Sequence, residues 1–216
     1  MAGPRTYLPM LATAAESLPT GDGWVFEVKW DGFRTIARSS RDGRPTLSSR
    51  RGQHLTERFA EVATALPRAT ANRDCVLDGE VCALDARARP SFSLLQQGRG
   101  RVVYLVFDVL ELDGEPLLAL PLAERRARLQ ELLTAHDDVV RLSETFDDGE
   151  ALLDVVVAQE LEGVVAKRTH SRYRPGTRSR HRLKVKARRR EDLVVAGWVR
   201  GDGARERLGS LVLARR

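Results

Sequence analysis

The run Lys29-Trp30-Asp31-Gly32-Phe33-Arg34 sets one lysine where a nucleophile would be useful. The residues leading into it, Trp24 to Trp30, alternate as a strand does. Phe26, Val28 and Trp30 fall on one apolar face, and Glu27, Lys29 and Asp31 on the other. Gly32 permits a tight turn or a close ligand approach, and Arg34 returns a fixed cation toward the same region. A free lysine titrates near about 10.4, so it attacks at neutral pH only where nearby cations or desolvation lower that value. The competing reading is a solvated lysine on an edge strand, and six residues alone leave both open.

Other segments carry groups that suit a nucleophile's partners. Asp78 and Glu80 interrupt an apolar strand at Leu77-Asp78-Gly79-Glu80-Val81, and burying them calls for cations, hydrogen-bond donors or a ligand. Val102 to Leu110 reads as a strand buried on both faces, with Phe107 as core or as a platform for a ring. Glu162 opens Glu162-Gly163-Val164-Val165-Ala166-Lys167 and is a hard oxygen donor suited to Mg²⁺. Lys184 and Lys186 share a strand face at Leu183-Lys184-Val185-Lys186. Residues 167 to 190 hold twelve Lys or Arg and no acid, leaving 24 basic against 30 acidic residues elsewhere. A neutral-to-acidic body with one dense basic segment points to a polyanion.

These groups need a scaffold. Strand signals fall near 24–30, 33–39, 45–48, 75–84 and 102–110, with a hairpin turn at Asp42-Gly43. Helical patterns fall near 53–66, 121–134 and 148–160, the second entered through Pro121. Short strands recur near 139–142, 163–167, 181–186, 192–199 and 208–213. Hairpins with interspersed helices predict an α+β fold with antiparallel sheets flanked by helices. A boundary falls near Arg188 to Glu191, where polarity peaks. The 216 residues are enough to bury a real core, and no run approaches a membrane span. The N-terminus lacks the apolar core of a signal peptide. Cys75 and Cys82, on opposite strand faces, read as buried thiols of a cytoplasmic protein.

Lys-x-Asp-Gly-x-Arg resembles the nucleotidyl-acceptor motif of ATP-dependent DNA ligases, RNA ligases and capping enzymes. Asp78-Gly79-Glu80, Phe107-Asp108-Val109-Leu110, Glu162 to Lys167 and Leu183 to Lys186 resemble further motifs of that superfamily, in its order. Glu27 to Arg34 and Ser171 to Gly176 are most similar to the bacterial end-joining DNA ligases. The resemblance implies a nucleotidyltransferase (ATP-grasp-like) adenylation domain over 1–188 and the start of a truncated OB-fold over 189–216. It implies ATP as substrate and Mg²⁺ or Mn²⁺ as cofactor. Lys29 becomes the residue that takes AMP, and Glu27, Arg34, Arg50, Glu80, Phe107, Arg178, Lys184 and Lys186 become nucleotide contacts. Glu80 and Glu162 become metal ligands. Arg50, Arg51, Lys167, Arg172 and Arg174 become DNA contacts.

The implied partners are nicked or broken double-stranded DNA and end-joining repair proteins, for a monomer in the cytoplasm at the nucleoid. Two features depart from the family. Arg182 stands where a Trp is usual, so that ring's packing is lost, and only about 26 residues follow Arg190, too few for a complete barrel. The shortened barrel leaves a DNA-binding module with little ligation of its own as an alternative. An RNA ligase or capping guanylyltransferase is another.

Overall fold

Period-two alternation over much of the chain yields strands, and the computed structural model arranges them in three sheets. It describes residues 6–41, 43–133, 137–187, 193–201 and 209–215. In chain order the elements are β1 (Leu11–Ala14), β2 (Trp24–Val28), β3 (Phe33–Ser39), β4 (Thr46–Ser49), α1 (Ala60–Ala69), β5 (Cys75–Leu84), α2 (Phe92–Gln96) and β6 (Arg101–Leu112). There follow β7 (Glu115–Pro116), α3 (Leu122–Leu132), β8 (Val140–Leu142), α4 (Gly149–Ala158), β9 (Gly163–Arg168), β10 (Arg178–Lys186), β11 (Leu193–Val199) and β12 (Ser210–Arg215). The α+β expectation holds. The Asp42 side of the β3–β4 turn and the 188–192 boundary lie outside the described residues, as does His136.

One sheet runs β4-β3-β5-β6-β7 with β8 parallel to β6; a second runs β1-β10-β9-β2; among the described residues β11 and β12 pair only with each other. Parity along β5 explains how the larger sheet serves two purposes. Its odd residues Cys75, Leu77, Val81 and Ala83 enter the main core beneath α1 and α3. Its even residues Val76, Asp78, Glu80, Cys82 and Leu84 face the other way, toward β2 and β10. Cys75 and Cys82 are accordingly buried, free, and in different clusters. The smaller sheet packs Phe26, Val164 and Ala166 against Leu152 and Val156 of α4, whose N-terminus is capped by Asp148 accepting from Ala151 N at 2.9 Å.

Several elements differ from expectation, and α2 and β7 have no counterpart in it. The helix expected at 53–66 begins at Ala60, because Gln53 to Leu55 pair with β4 and the Ser49 hydroxyl accepts from Gln53 N at 3.0 Å. β2 stops at Val28, so Lys29 and Trp30 leave its alternation; Trp30 packs on Cys82, Leu84, Val103 and Leu105 instead of beside Phe26. β1 is a short parallel partner of β10, too brief to announce itself by periodicity.

β6 carries two bulges against β5. Asp78 pairs with Asp108 and Gly79 with Val106, leaving Phe107 extra; Val76 pairs with Glu111 and Leu77 with Val109, leaving Leu110 extra. Gly79 makes room for this packing, since a Cβ there would stand 2.5 Å from the Tyr104 ring and 2.7 Å from the Leu105 carbonyl oxygen. Gly79→Ala is therefore expected to destabilise the domain by roughly 1–3 kcal/mol, the usual cost of overpacking. Gly197→Ala, with nothing within 4 Å of the new methyl, should leave the denaturant midpoint nearly unchanged.

Candidate active site

The two larger sheets face each other across a cavity of about 210 Å³. The smaller sheet lines it with Leu11, Ala12, Glu27, Val165, Lys167, Arg178, Arg182 and Lys184, and Lys29 and Trp30 follow β2 into it. The larger sheet contributes Arg34, Glu80 and Phe107, with Arg50 at the end of β4. A roomier cavity of about 510 Å³ beside α1 and α2 holds none of the sequence-predicted groups.

Lys29 sits just past β2, where its backbone N–H donates to Gly163 O at 2.8 Å. Its ammonium is ion-paired with the Glu162 carboxylate, and both side chains keep partial solvent access. Gly32 then lets the chain press against β5, because a Cβ there would lie 2.1 Å from the Val81 carbonyl oxygen. Glu80 projects from β5 into the cavity, and among the described residues nothing hydrogen-bonds its carboxylate. Burial raises its pKa to about 8, against the pull of Arg34 and Lys29. Burial, with Glu162 nearby, likewise raises Asp31.

β10 sends Arg182, Lys184 and Lys186 to one face, grading from buried through partly exposed to exposed. Burial and the neighbouring Lys29 lower the pKa of Lys184. Lys186 shares the face but stands outside the cavity lining. Arg178 lines the rim and donates to the Ala12 carbonyl. Phe107, the bulged residue, enters the wall with Arg34 at 4.3 Å and Lys167 at 4.2 Å from its ring centroid.

Lys167 is not an outward-facing cation. It is 3% exposed and donates to Glu27 at 2.7 Å, opposite Arg182 in the β9–β10 register. Burial lowers its pKa to about 8 despite Glu27. The position belongs to the cavity, whereas Arg51, Arg172 and Arg174 are exposed and outside its lining. Glu27, 1% exposed, is also approached by Ser143 Oγ at 3.4 Å and by Arg126 at 4.0 Å. Ser143 accepts from Trp30 Nε1 at 2.9 Å, a link that no motif in the sequence announces.

Below the cavity lie Asp78 and Asp108, both fully buried. Arg34 grips Asp78 at 2.6 and 2.7 Å, and the Tyr173 hydroxyl donates to it at 2.6 Å. Arg125 grips Asp108 at 2.7 and 2.9 Å. Arg182 donates to Asp108 at 2.5 Å and reaches Asp78 at 3.8 Å. Burial works against an ionised Asp108, yet Arg125 and then Arg182 hold it below the usual carboxylate range.

The sequence profile described as "ATP dependent DNA ligase domain" matches residues 9–186. The chain belongs to the ATP-dependent DNA ligase domain family. This ligase domain is 38% identical to the multifunctional non-homologous end joining protein LigD of Pseudomonas aeruginosa, over 97% of the chain and 25% of that protein. It is 36% identical to the LigD of Mycolicibacterium smegmatis, over 98% of the chain and 28% of that protein. The chain thus spans about a quarter of the length of these curated relatives. Among solved structures it matches a mycobacterial DNA ligase D complexed with ATP and MES, with a TM-score of 0.77 and 35% identity over 96% of this chain and 67% of that one. The fold is that of a ligase adenylation domain, as the α+β expectation required.

The half-buried Glu80 gives the ligase domain a pH signature. Its folded pKa of about 8 lies above the ordinary carboxylate value, so a bound proton stabilises the folded state. That contribution is complete at about pH 4 and is lost as pH rises to about 8. Without metal or nucleotide, the melting temperature of the native domain relative to Glu80→Gln should fall across that window. A constant difference would mean Glu80 is not held protonated.

Proposed function

We propose that this domain transfers AMP from ATP to Lys29 and then to a DNA 5′-phosphate, for sealing by a neighbouring 3′-hydroxyl. The observation that carries the reading is the placement of the Lys29 amine against Glu162 at a cavity lined by Phe107, Arg34 and Glu80 on one side and Lys184 on the other. Attack by the Lys29 nitrogen on the α-phosphorus forms the N–P bond, breaks the P–O bond to pyrophosphate and releases the amine's proton. Lys184, Lys186 and Arg34 offset charge that develops on the phosphate oxygens. Phe107 and Glu27 hold the purine, and Arg178 and Arg50 stand at the rim for the nucleotide and the DNA strand.

A divalent cation fits this donor set. Glu80 lacks a hydrogen-bond donor, and among the described residues no group of three or more His, Cys, Asp and Glu forms an all-protein cage. Two carboxylates completed by phosphate oxygens and water suit Mg²⁺ or Mn²⁺. Glu80 and Glu162 would hold the ion, which when bound supplies positive charge to the triphosphate.

The exposed Arg51, Arg172 and Arg174 are the proposed contacts to DNA phosphates, sequence-independent and salt-sensitive. Among the described residues β11 and β12 pair with neither larger sheet, and they expose Val194, Val195, Trp198 and Leu211 to Leu213. We read it as the start of an OB-fold domain spanning 189–216. The names of the relatives support a setting in end joining of broken double-stranded DNA, with repair proteins as partners. No helix among the described residues is long and apolar enough to cross a membrane. A monomer acting at the nucleoid is the setting proposed, and the free buried thiols accord with its cytoplasmic part.

Incubation with Mg²⁺ and α-labelled ATP should leave covalent label on the protein, and Lys29→Ala should abolish it. Label from GTP instead would indicate guanylyl transfer. Absence of label with either nucleotide, together with failure to seal a pre-adenylylated nick, would reduce the domain to a DNA-binding module.

A further inference from the structure

Arg182 is buried, with 2% of its surface exposed, yet it sits on a strand whose next two same-face residues are lysines of increasing exposure, the nearer one lining the cavity. Its contacts cross between sheets. From β10 in the smaller sheet it reaches Asp108 of β6 at 2.5 Å and Asp78 of β5 at 3.8 Å, both in the larger sheet. Its guanidinium lies 4.8 Å from the centroid of the Tyr173 ring. Neither carboxylate depends on Arg182 alone, because Asp78 keeps Arg34 and Tyr173, and Asp108 keeps Arg125. A guanidinium that is redundant for neutralising each acid is well suited to joining them.

We propose that Arg182 is a positioning residue that fixes the gap between the two sheets and so sets the depth of the nucleotide cavity. The two walls differ in what they contribute. Lys29, Glu162 and Lys184 all belong to the smaller sheet or its flanking turns, so the groups nearest the reacting phosphate keep their mutual geometry whatever the gap. Phe107, Arg34 and Glu80 belong to the larger sheet and meet the nucleotide only if the gap is right. Loosening the clamp therefore weakens nucleotide binding more than it slows transfer. A Trp at this position would fill the seam by packing; an arginine ties it by charge and by a planar fork that lysine does not reproduce.

The inference rests on the adenylyl-transfer reading, and covalent labelling of the 216-residue chain over a range of ATP concentrations tests it. Arg182→Met should raise the ATP concentration for half-maximal labelling rate about tenfold while the limiting rate stays within about threefold. Arg182→Lys, which keeps the charge but reaches one carboxylate at a time, should fall between the two. A normal half-maximal concentration in Arg182→Met, or a defect confined to the limiting rate, overturns the proposal. If Arg182→Met does not fold by its melting curve, Arg182→Lys decides: raised half-maximal concentration supports the clamp, and wild-type behaviour overturns it. A native chain that takes no label from ATP removes the functional reading and this inference together. A native chain that labels, with variants that bind ATP equally well, removes the inference alone.

Discussion

Two carboxylates, Asp78 and Asp108, stand directly opposite each other across adjacent buried strands, and much of the structure is arranged to pair them. Isolated charges in such a place would cost several kcal/mol each after relaxation. Three arginines and a tyrosine hydroxyl offset that cost, and they come from β3, α3, β10 and the segment before β10. Each donor thereby anchors its own element to the centre of the larger sheet. Through Arg182, paired charges tie β10 of the smaller sheet to β5 and β6 of the larger one. Three guanidiniums over two carboxylates also leave a net positive charge beneath a cavity read as a polyphosphate site, and a low-dielectric setting amplifies it.

The division of chemistry between the walls follows from this anchoring. One wall holds the Lys29 amine, its carboxylate partner Glu162 and the cationic ladder of β10; the other holds the Phe107 ring, Arg34 and Glu80. Neither sheet has a complete site. Lys167 is absorbed into the structure for the same reason: its partner Glu27 is buried in the cavity wall, so it helps to shape that wall instead of reaching for a distant phosphate.

The Asp-Gly-Glu strand and the Leu-Lys-x-Lys face were legible because each pairs a charged group with a strand period that states where it points, and Lys29 and Glu162 were legible only through the motifs around them. Long-range pairing was not legible. Lys167 looked like one more cation of a basic segment, since nothing local reveals that Glu27 lies 2.7 Å away across 140 residues. Arg182 read as a lost aromatic ring, although its same-face spacing with Lys184 and Lys186 hinted at the cavity. β1 carries no usable period over four residues and exists through its pairing with β10. The misplaced start of α1 shows a serine side chain competing with helix formation, an effect that hydrophobic spacing does not register.

The doubled bulge in β6 means that this strand is read in three frames. Before Phe107, between Phe107 and Leu110, and after Leu110, odd and even residues exchange faces relative to β5. Asp108 owes its place opposite Asp78 to the middle frame, only two residues long, and no side-chain preference of its own selects it. Losing one residue there would scarcely change composition or hydrophobicity, yet it would shift the frame, remove a carboxylate from the seam and leave Arg125 and Arg182 to find other partners. For this strand the count of residues carries as much information as their kind.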